Sequence, residues 1–229
     1  MVVDAKAMTA REQILGDIRK ALGRAVGQSP LEAGPVSSRE LPAPTLRIPL
    51  SDRNLLTDLF VQKLENLGGK VIRVRETSGV GPAIAELLAQ KSAVASNSPF
   101  LRKCGVTGLV QVHTAFTERD QLKEACAAAD IGITSADYAL AATGSFVMLS
   151  SASEARLISL LPPVHIAIFP RSRILANLDE LLSILPRPAD QTSSMVLITG
   201  PSRTADIEQI LVRGVHGPGE VYAVIVDEE

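Results

Sequence analysis

The residues best suited to chemistry in this 229-residue chain lie in two short patches rich in small and hydroxylated side chains. The first runs from Gly132 to Ser145. It sets Thr134, Ser135, Asp137, Thr143, Gly144 and Ser145 between an apolar run at 131–133 and a second at 146–149. Small residues at the ends of core strands let a ligand approach the backbone, and they equally serve tight packing of a sheet. Asp137 is the ionisable group of this patch besides Tyr138, and is a candidate base, hydroxyl partner or cap. The second patch is Thr199-Gly200-Pro201-Ser202-Arg203-Thr204. Its surroundings predict a strand over 195–199 and a helix over 204–211. The free N–H groups and positive dipole end of such a helix favour an anion. Gly200 allows close approach, Ser202 and Thr204 offer hydroxyls, and Arg203 adds a fixed charge. The alternative is a capping role for the hydroxyls, and Asp206 and Glu208 in the same helix oppose a bound anion.

A third cue is Gly214-Val215-His216-Gly217-Pro218, which places an imidazole in a glycine-flanked turn. Histidine titrates near neutrality and can donate or accept a proton, so Asp137 and His216 are the candidate catalytic residues. His216 and Gly217 join the ligand set; a merely solvated turn histidine is the alternative. His165 falls inside a predicted buried strand and His113 follows a short one. Three scattered histidines without acids at ligand spacing predict no metal site.

These patches need a frame to hold them. The spacing predicts strands over 71–74, 93–95, 109–112, 131–133, 146–149, 164–169, 195–199 and 221–226. Helices are predicted over 55–67, from about 82 to 88, 100–104, 117–128, 175–185 and 204–211. The follower strand 146–149 reads as a hairpin return of 131–133. Alternating β and α elements imply a mostly parallel central sheet with helices on both faces. Aromatics are only 3% of the chain, so Leu, Ile, Val and Ala must build the core, as in the continuous aliphatic strands of a sheet buried on both faces.

Ahead of this domain, placed at 51–229, residues 1–25 carry an amphipathic helix. It opens on the capping box Thr9-Ala10-Arg11-Glu12, with Ile14, Leu15, Ile18 and Leu22 on one face and Gly23 as its stop. Residues 26–50 contain prolines at 30, 35, 42, 44 and 49 and read as a tether. An apolar-faced helix on a tether needs a partner surface, be it its own body, a second copy as in a homo-oligomer, or another protein.

A formal net charge of −2 without basic runs argues against nucleic acid. With neither a signal-peptide layout nor an apolar run of membrane-spanning length, the expected location is the cytoplasm. Cys104 and Cys126 lack cluster spacing and read as small buried residues of a reducing compartment. The Gly79-Val80-Gly81 segment has Ile84 where a dinucleotide fingerprint needs a small residue, and neither a phosphate-binding P-loop nor a serine nucleophile elbow is present.

The segments Gly-Ile-Thr-Ser-Ala-Asp-Tyr-Ala (132–139), Arg-Leu-Ile-Ser-Leu-Leu-Pro-Pro-Val-His-Ile (156–166), Ile-Thr-Gly-Pro-Ser-Arg-Thr-Ala-Asp-Ile-Glu (198–208) and Gly-Val-His-Gly-Pro (214–218) together resemble the lactate-utilisation (LUD) domain family. The resemblance covers about 50–228. It implies a fold similar to the sugar-phosphate isomerase and CoA-transferase group. It also implies a place in a multi-subunit system oxidising L-lactate to pyruvate, whose iron–sulfur clusters sit on sister subunits, with no cofactor on this chain. Many relatives read Ala-Glu-Thr-Gly where this chain has Ala141-Ala142-Thr143-Gly144. In the wider fold group a glutamate can act as a covalent nucleophile, which Ala142 cannot. The leading expectation is therefore an accessory subunit that binds a small anionic ligand, docking through its N-terminal helix to a partner. A stand-alone enzyme of the isomerase or CoA-transferase type, and a structural adaptor, are the alternatives.

Overall fold

The computed structural model describes residues 9–21, 52–205 and 211–228. The expected tether, the Gly23 stop and the acids Asp206 and Glu208 lie outside the described residues. In chain order the strands are β1 (Lys70–Val74), β2 (Ala93–Ala95), β3 (Val112–His113), β4 (Ile131–Ser135), β5 (Tyr138–Leu140) and β6 (Ser145–Leu149). They continue as β7 (Val164–Pro170), β8 (Ile174–Leu175), β9 (Met195–Ile198), β10 (Arg203–Ala205), β11 (Leu211–Arg213) and β12 (Glu220–Val226). The helices are α1 (Ala10–Ala21), α2 (Arg53–Asn66), α3 (Val80–Leu88), α4 (Pro99–Lys103), α5 (Arg119–Ala128), α6 (Leu157–Leu160) and α7 (Leu178–Ile184).

The N-terminal helix forms with its capping box in place. The Thr9 N–H and hydroxyl both donate to Glu12, and the Glu12 N–H donates back to Thr9 Oγ1. Ile14 and Ile18 are 60% and 49% exposed.

The body is centred on a six-stranded parallel sheet in the order β1-β12-β7-β4-β2-β3. Side chains alternate across its two faces. Ile131, Ile133, Ile166, Ile168, Val224 and Val226 meet Val80, Ile84 and Leu88 of α3 and Leu101 of α4 on one face. Ala167, Phe169, Ala223 and Ile225 meet Leu56, Phe60 and Leu64 of α2 on the other. Phe60, Phe146 and Phe169 form one aromatic cluster with centroids 5.6–5.9 Å apart. Helix α2 starts at Asp52, whose Oδ1 accepts the N–H groups of Asn54 and Leu55. It ends at Gly68, where a φ of +84° needs a residue without a Cβ.

The opposite face is therefore covered by helices and also by a second sheet, in the order β8-β5-β6-β9. This corrects the hairpin expectation: β6 pairs antiparallel with β5, not with β4. After β4 the chain leaves the central sheet, and the three-residue strand 138–140 is too short for period-2 patterning to reveal it. Strand β9 also belongs to this second sheet, antiparallel to β6. Leu175 lies in β8 rather than opening a helix, and of the expected strand 109–112 only Val112 pairs.

A larger correction concerns 204–211. Arg203–Ala205 and Leu211–Arg213 are antiparallel strands, with Thr204 opposite Val212. No helix begins at Thr204. Two β-branched residues paired across strands suit a ladder, and tertiary pairing overrides a local helical spacing. The ladder ends at Gly214, whose φ of +79° turns its N–H onto the Ser202 carbonyl at 3.0 Å.

Candidate functional site

Two polar regions emerge, and only one coincides with the foreseen patches. In the first, the Ser145 hydroxyl lies 2.7 Å from that of Thr143 and 2.8 Å from that of Thr199. Around this chain of hydroxyls, close approach to the backbone is made by the protein itself. A Cβ on Gly144 would stand 2.5 Å from the Leu64 nitrogen of α2, and one on Gly200 3.0 Å from Leu67 Cβ. Arg203 donates to the Leu67 carbonyl, so its charge sits at the negative end of α2. Ser202 is tied through its N–H to the Pro218 carbonyl at 2.8 Å. Thr204 lies in strand β10, so no helix N-terminus opens at Ser202–Thr204 to favour an anion there. His216 is exposed, and a Cβ on Gly217 would stand 3.5 Å from Ser202 Cβ.

Thr134 and Asp137 do not join this group. Asp137 accepts the Leu149 N–H at 2.6 Å, four residues along β6 from Ser145, about 13 Å in an extended strand. Thr134 is buried within the sheet, 2.8 Å from His165 Nε2. Full burial pushes the His165 pKa down to about 3, which keeps the ring neutral, and its Nδ1 is buried without a partner. At Gly132, next along β4, a Cβ would lie 1.9 Å from the Ile158 carbonyl oxygen. Helix α6 occupies the space that the small residue opens.

The second region lies where sheet topology favours a ligand. Strand β2 leads to β3 at one edge, whereas β4 leads to β7 and β12 in the other direction, although β2 and β4 are neighbours. Ligands of open parallel sheets bind beyond the carboxyl ends of strands at such a switch. Ser96, Asn97 and Ser98 follow β2 there, and Ser135 and Asp137 stand at the end of β4. The loop after β6 brings Glu154 into the same place.

Glu154 was not among the residues foreseen. It is 8% exposed, and its Oε1 accepts the Ser135 N–H at 3.2 Å. Its Oε2 and the Ser96 hydroxyl oxygen are both buried without a partner of ordinary hydrogen-bond geometry. Burial, reinforced by the nearby Asp137 carboxylate, raises the Glu154 pKa to about 7. The Ser96 and Ser98 hydroxyls and the Ser135 N–H pull the other way. The direction follows from desolvation, which outweighs these hydrogen bonds. Asp137 is raised as well, chiefly by burial, against the Leu149 N–H and the Arg173 charge. A cue was present in the sequence. Ser96-Asn97-Ser98 ends a strand as the foreseen patches do, and Glu154 is an acid set among Ser150, Ser151, Ala152 and Ser153.

A cavity of about 10 Å³ is lined by Glu154, Arg156, Ser159, Met148, Leu149, Ser150 and Ala155. It has room for about one water-sized atom. A second of about 40 Å³ lies beside Asn97, Phe116 and Ser153. Phe116 also lines a cavity of about 270 Å³ together with Ser92, Val94, His113, Ala125, Ala128 and Ala129. Among the described residues no group of three or more His, Cys, Asp or Glu side chains converges as a metal site. No helix among them is long and apolar enough to cross a membrane. Cys104 and Cys126 are both buried, and burial pushes the Cys126 thiol up to about 11.

The LUD domain model matches residues 57–226. The chain is 35% identical over 153 residues to lactate utilization protein C of Halalkalibacterium halodurans, covering 63% of this chain and 66% of that one. It is 41% identical over 119 residues to the protein of the same name in Anoxybacillus flavithermus, covering 52% and 53%. The aligned part thus spans about half to two thirds of these relatives. The uncharacterized protein YkgG of Escherichia coli aligns over its whole length and 96% of this chain at 29% identity. In fold, the chain is similar to the crystal structure of a DUF162 family protein of Deinococcus radiodurans. The TM-score is 0.59 at 18% identity, over 78% of this chain and 99% of that one.

Proposed function

The chain belongs to the LUD domain family, and from that premise we propose that it serves lactate utilisation as an accessory subunit. Its ligand is a small carboxylate of the size of lactate or pyruvate, held in the crevice beyond the carboxyl ends of β2 and β4. The names of the relatives support the pathway. The observation that carries the site is the group of Ser96, Ser98, Ser135, Asp137 and Glu154 at the topological switch, with two buried polar atoms, Glu154 Oε2 and Ser96 Oγ, left unpaired. The iron–sulfur chemistry of lactate oxidation then belongs to sister subunits in the cytoplasm, with helix α1 and its exposed Ile14, Leu15 and Ile18 as the docking element. Titration of the purified chain with L-lactate and with pyruvate by calorimetry tests the site. Saturable binding that weakens in Ser96→Ala is expected, and absence of heat with both acids overturns the reading. Failure to co-purify with the sister subunits, or to alter their lactate turnover, removes the subunit role.

A second reading, an enzyme of the isomerase or CoA-transferase type, is favoured by the proximity of the two carboxyl groups of Asp137 and Glu154. A carboxyl that titrates near neutrality is suited to general acid–base work. Turnover of a sugar phosphate or CoA ester by the isolated chain, abolished by Glu154→Gln, is its signature.

A further inference from the structure

The small cavity beside β6 is lined by both an acid, Glu154, and a cation, Arg156. Arg156 is exposed, and its Nη1 donates to Ser194 Oγ at 3.2 Å. Glu154 is fixed from three directions. Its N–H donates to Ser151 Oγ at 3.1 Å, its carbonyl accepts the Ser151 N–H at 3.1 Å, and its Oε1 accepts the Ser135 N–H. The loop is further pinned to the end of β2 by the Asn97 N–H, which donates to the Ser153 carbonyl at 2.9 Å. What these contacts leave over is Oε2, buried beside the Ser96 and Ser98 hydroxyls but without a partner in hydrogen-bond geometry.

The charge around that atom decides which protonation state a carboxylate ligand would meet. From the end of β4 it faces Asp137, itself under the field of Arg173. The end of β2 presents only hydroxyls, Ser96 and Ser98, and α6 presents Ser159 in the same small cavity. Its own loop supplies Arg156. An ionised Glu154 would add a second buried negative charge beside Asp137 and repel the ligand. A protonated Glu154 instead has an O–H on that oxygen, able to donate to an acceptor on the ligand.

We infer that Glu154 and Arg156 form the carboxylate-binding end of the crevice, Glu154 acting as a protonated donor, so that binding the ligand takes up a proton. The inference rests on the small-carboxylate reading above and adds the group that recognises the ligand. One ligand oxygen enters the cavity as acceptor of the Glu154 O–H, and the guanidinium of Arg156 neutralises the charge from outside. A cavity of about 10 Å³ fits one oxygen atom, so the rest of the ligand lies over the Ser150–Arg156 loop. The titration of Glu154 near neutrality means that both protonation states are populated where the effect can be measured.

The test is calorimetric titration with L-lactate and pyruvate at pH 6, 7 and 8, in buffers of different ionisation heat. Wild-type protein is expected to take up about half a proton per ligand at pH 7, the unprotonated share of a group titrating there. Its affinity should fall about fivefold from pH 7 to pH 8, following the protonated fraction. Glu154→Gln keeps a donor at that position and should bind without proton uptake and with no such pH dependence. Arg156→Ala removes an exposed side chain, so folding is not at stake, and should weaken binding at least tenfold at every pH. Binding by the wild type that is independent of pH and without proton uptake overturns the inference and leaves the small-carboxylate reading standing. The same holds for a Glu154→Gln protein that retains the wild-type pH dependence. Absence of binding to both acids at all three pH values overturns both.

Discussion

The hydroxyl patch around Ser145 and the strand-end cluster around Glu154 are built from similar residues and put to opposite use. At Ser145 the hydroxyls pair with one another, and the glycines beside them admit the backbone of α2. Near Glu154 two buried polar atoms lack a partner in hydrogen-bond geometry, and burial raises the carboxyl pKa to about 7. Small and polar residues at strand ends are thus needed wherever another element packs closely, and they mark a site only where something is left unsatisfied. Unpaired buried groups cost free energy, and a fold retains them where another interaction offsets that cost.

The comparison breaks first at Gly144. Gly144→Ala puts a Cβ 2.5 Å from a backbone nitrogen at a φ of +66°. Close packing together with a left-handed residue is expected to cost about 4 kcal/mol. Urea unfolding of the full chain measures it, and a neutral result would mean that the patch holds space for a ligand after all.

Glu154→Gln sharpens the other half. The folded-state pKa of Glu154 is raised from 4.5 to about 7, so the folded state holds the proton more tightly than the unfolded chain. Its contribution is fully present below pH 4.5 and is lost as pH rises to about 7, on the order of 3 kcal/mol over the span. His165 is shifted the other way, from 6.5 to about 3; its contribution is present above pH 6.5 and is lost as pH falls towards 3. Between about pH 4.5 and 6.5 the two oppose each other in the wild type. In Glu154→Gln the His165 slope stands uncovered, and stability relative to the wild type should rise with pH across that window. Equal slopes in the two proteins would remove Glu154 from the account.

The smallest effect is expected at Ser145. Ser145→Ala removes its hydrogen bonds to Thr143 and Thr199 and should cost about 1 kcal/mol, with L-lactate affinity unchanged. A fall in affinity without loss of stability would return ligand binding to the hydroxyl patch.

Much of the frame was legible from spacing. The strands at 131–135, 164–170 and 220–226 are rich in Ile, Val and Ala, as suits a parallel sheet buried on both faces. The capping box and the apolar stripe of α2 were equally plain, because each is a local pattern with a local cause. Where the reading failed, the partner was distant. Thr204 looked like a helix start until Val212 paired with it, and 138–140 is too short to announce a strand. Glu154 escaped because its cue, an acid among serines, equally describes a solvated loop, and its burial comes from elements far along the chain.

The alternation of strands and helices, the aliphatic core and the family motifs could be read along the chain, since they rest on periodicities and spacings within a few residues. Only the folded chain shows that Gly132 and Gly144 serve packing, that Arg203 faces the end of α2, and that Glu154 is buried beside Ser96 and Ser135. Each of these follows from a neighbour far away along the chain, and burial, which sets both the cost of a charge and the value of a hydrogen bond, exists only once those neighbours have met.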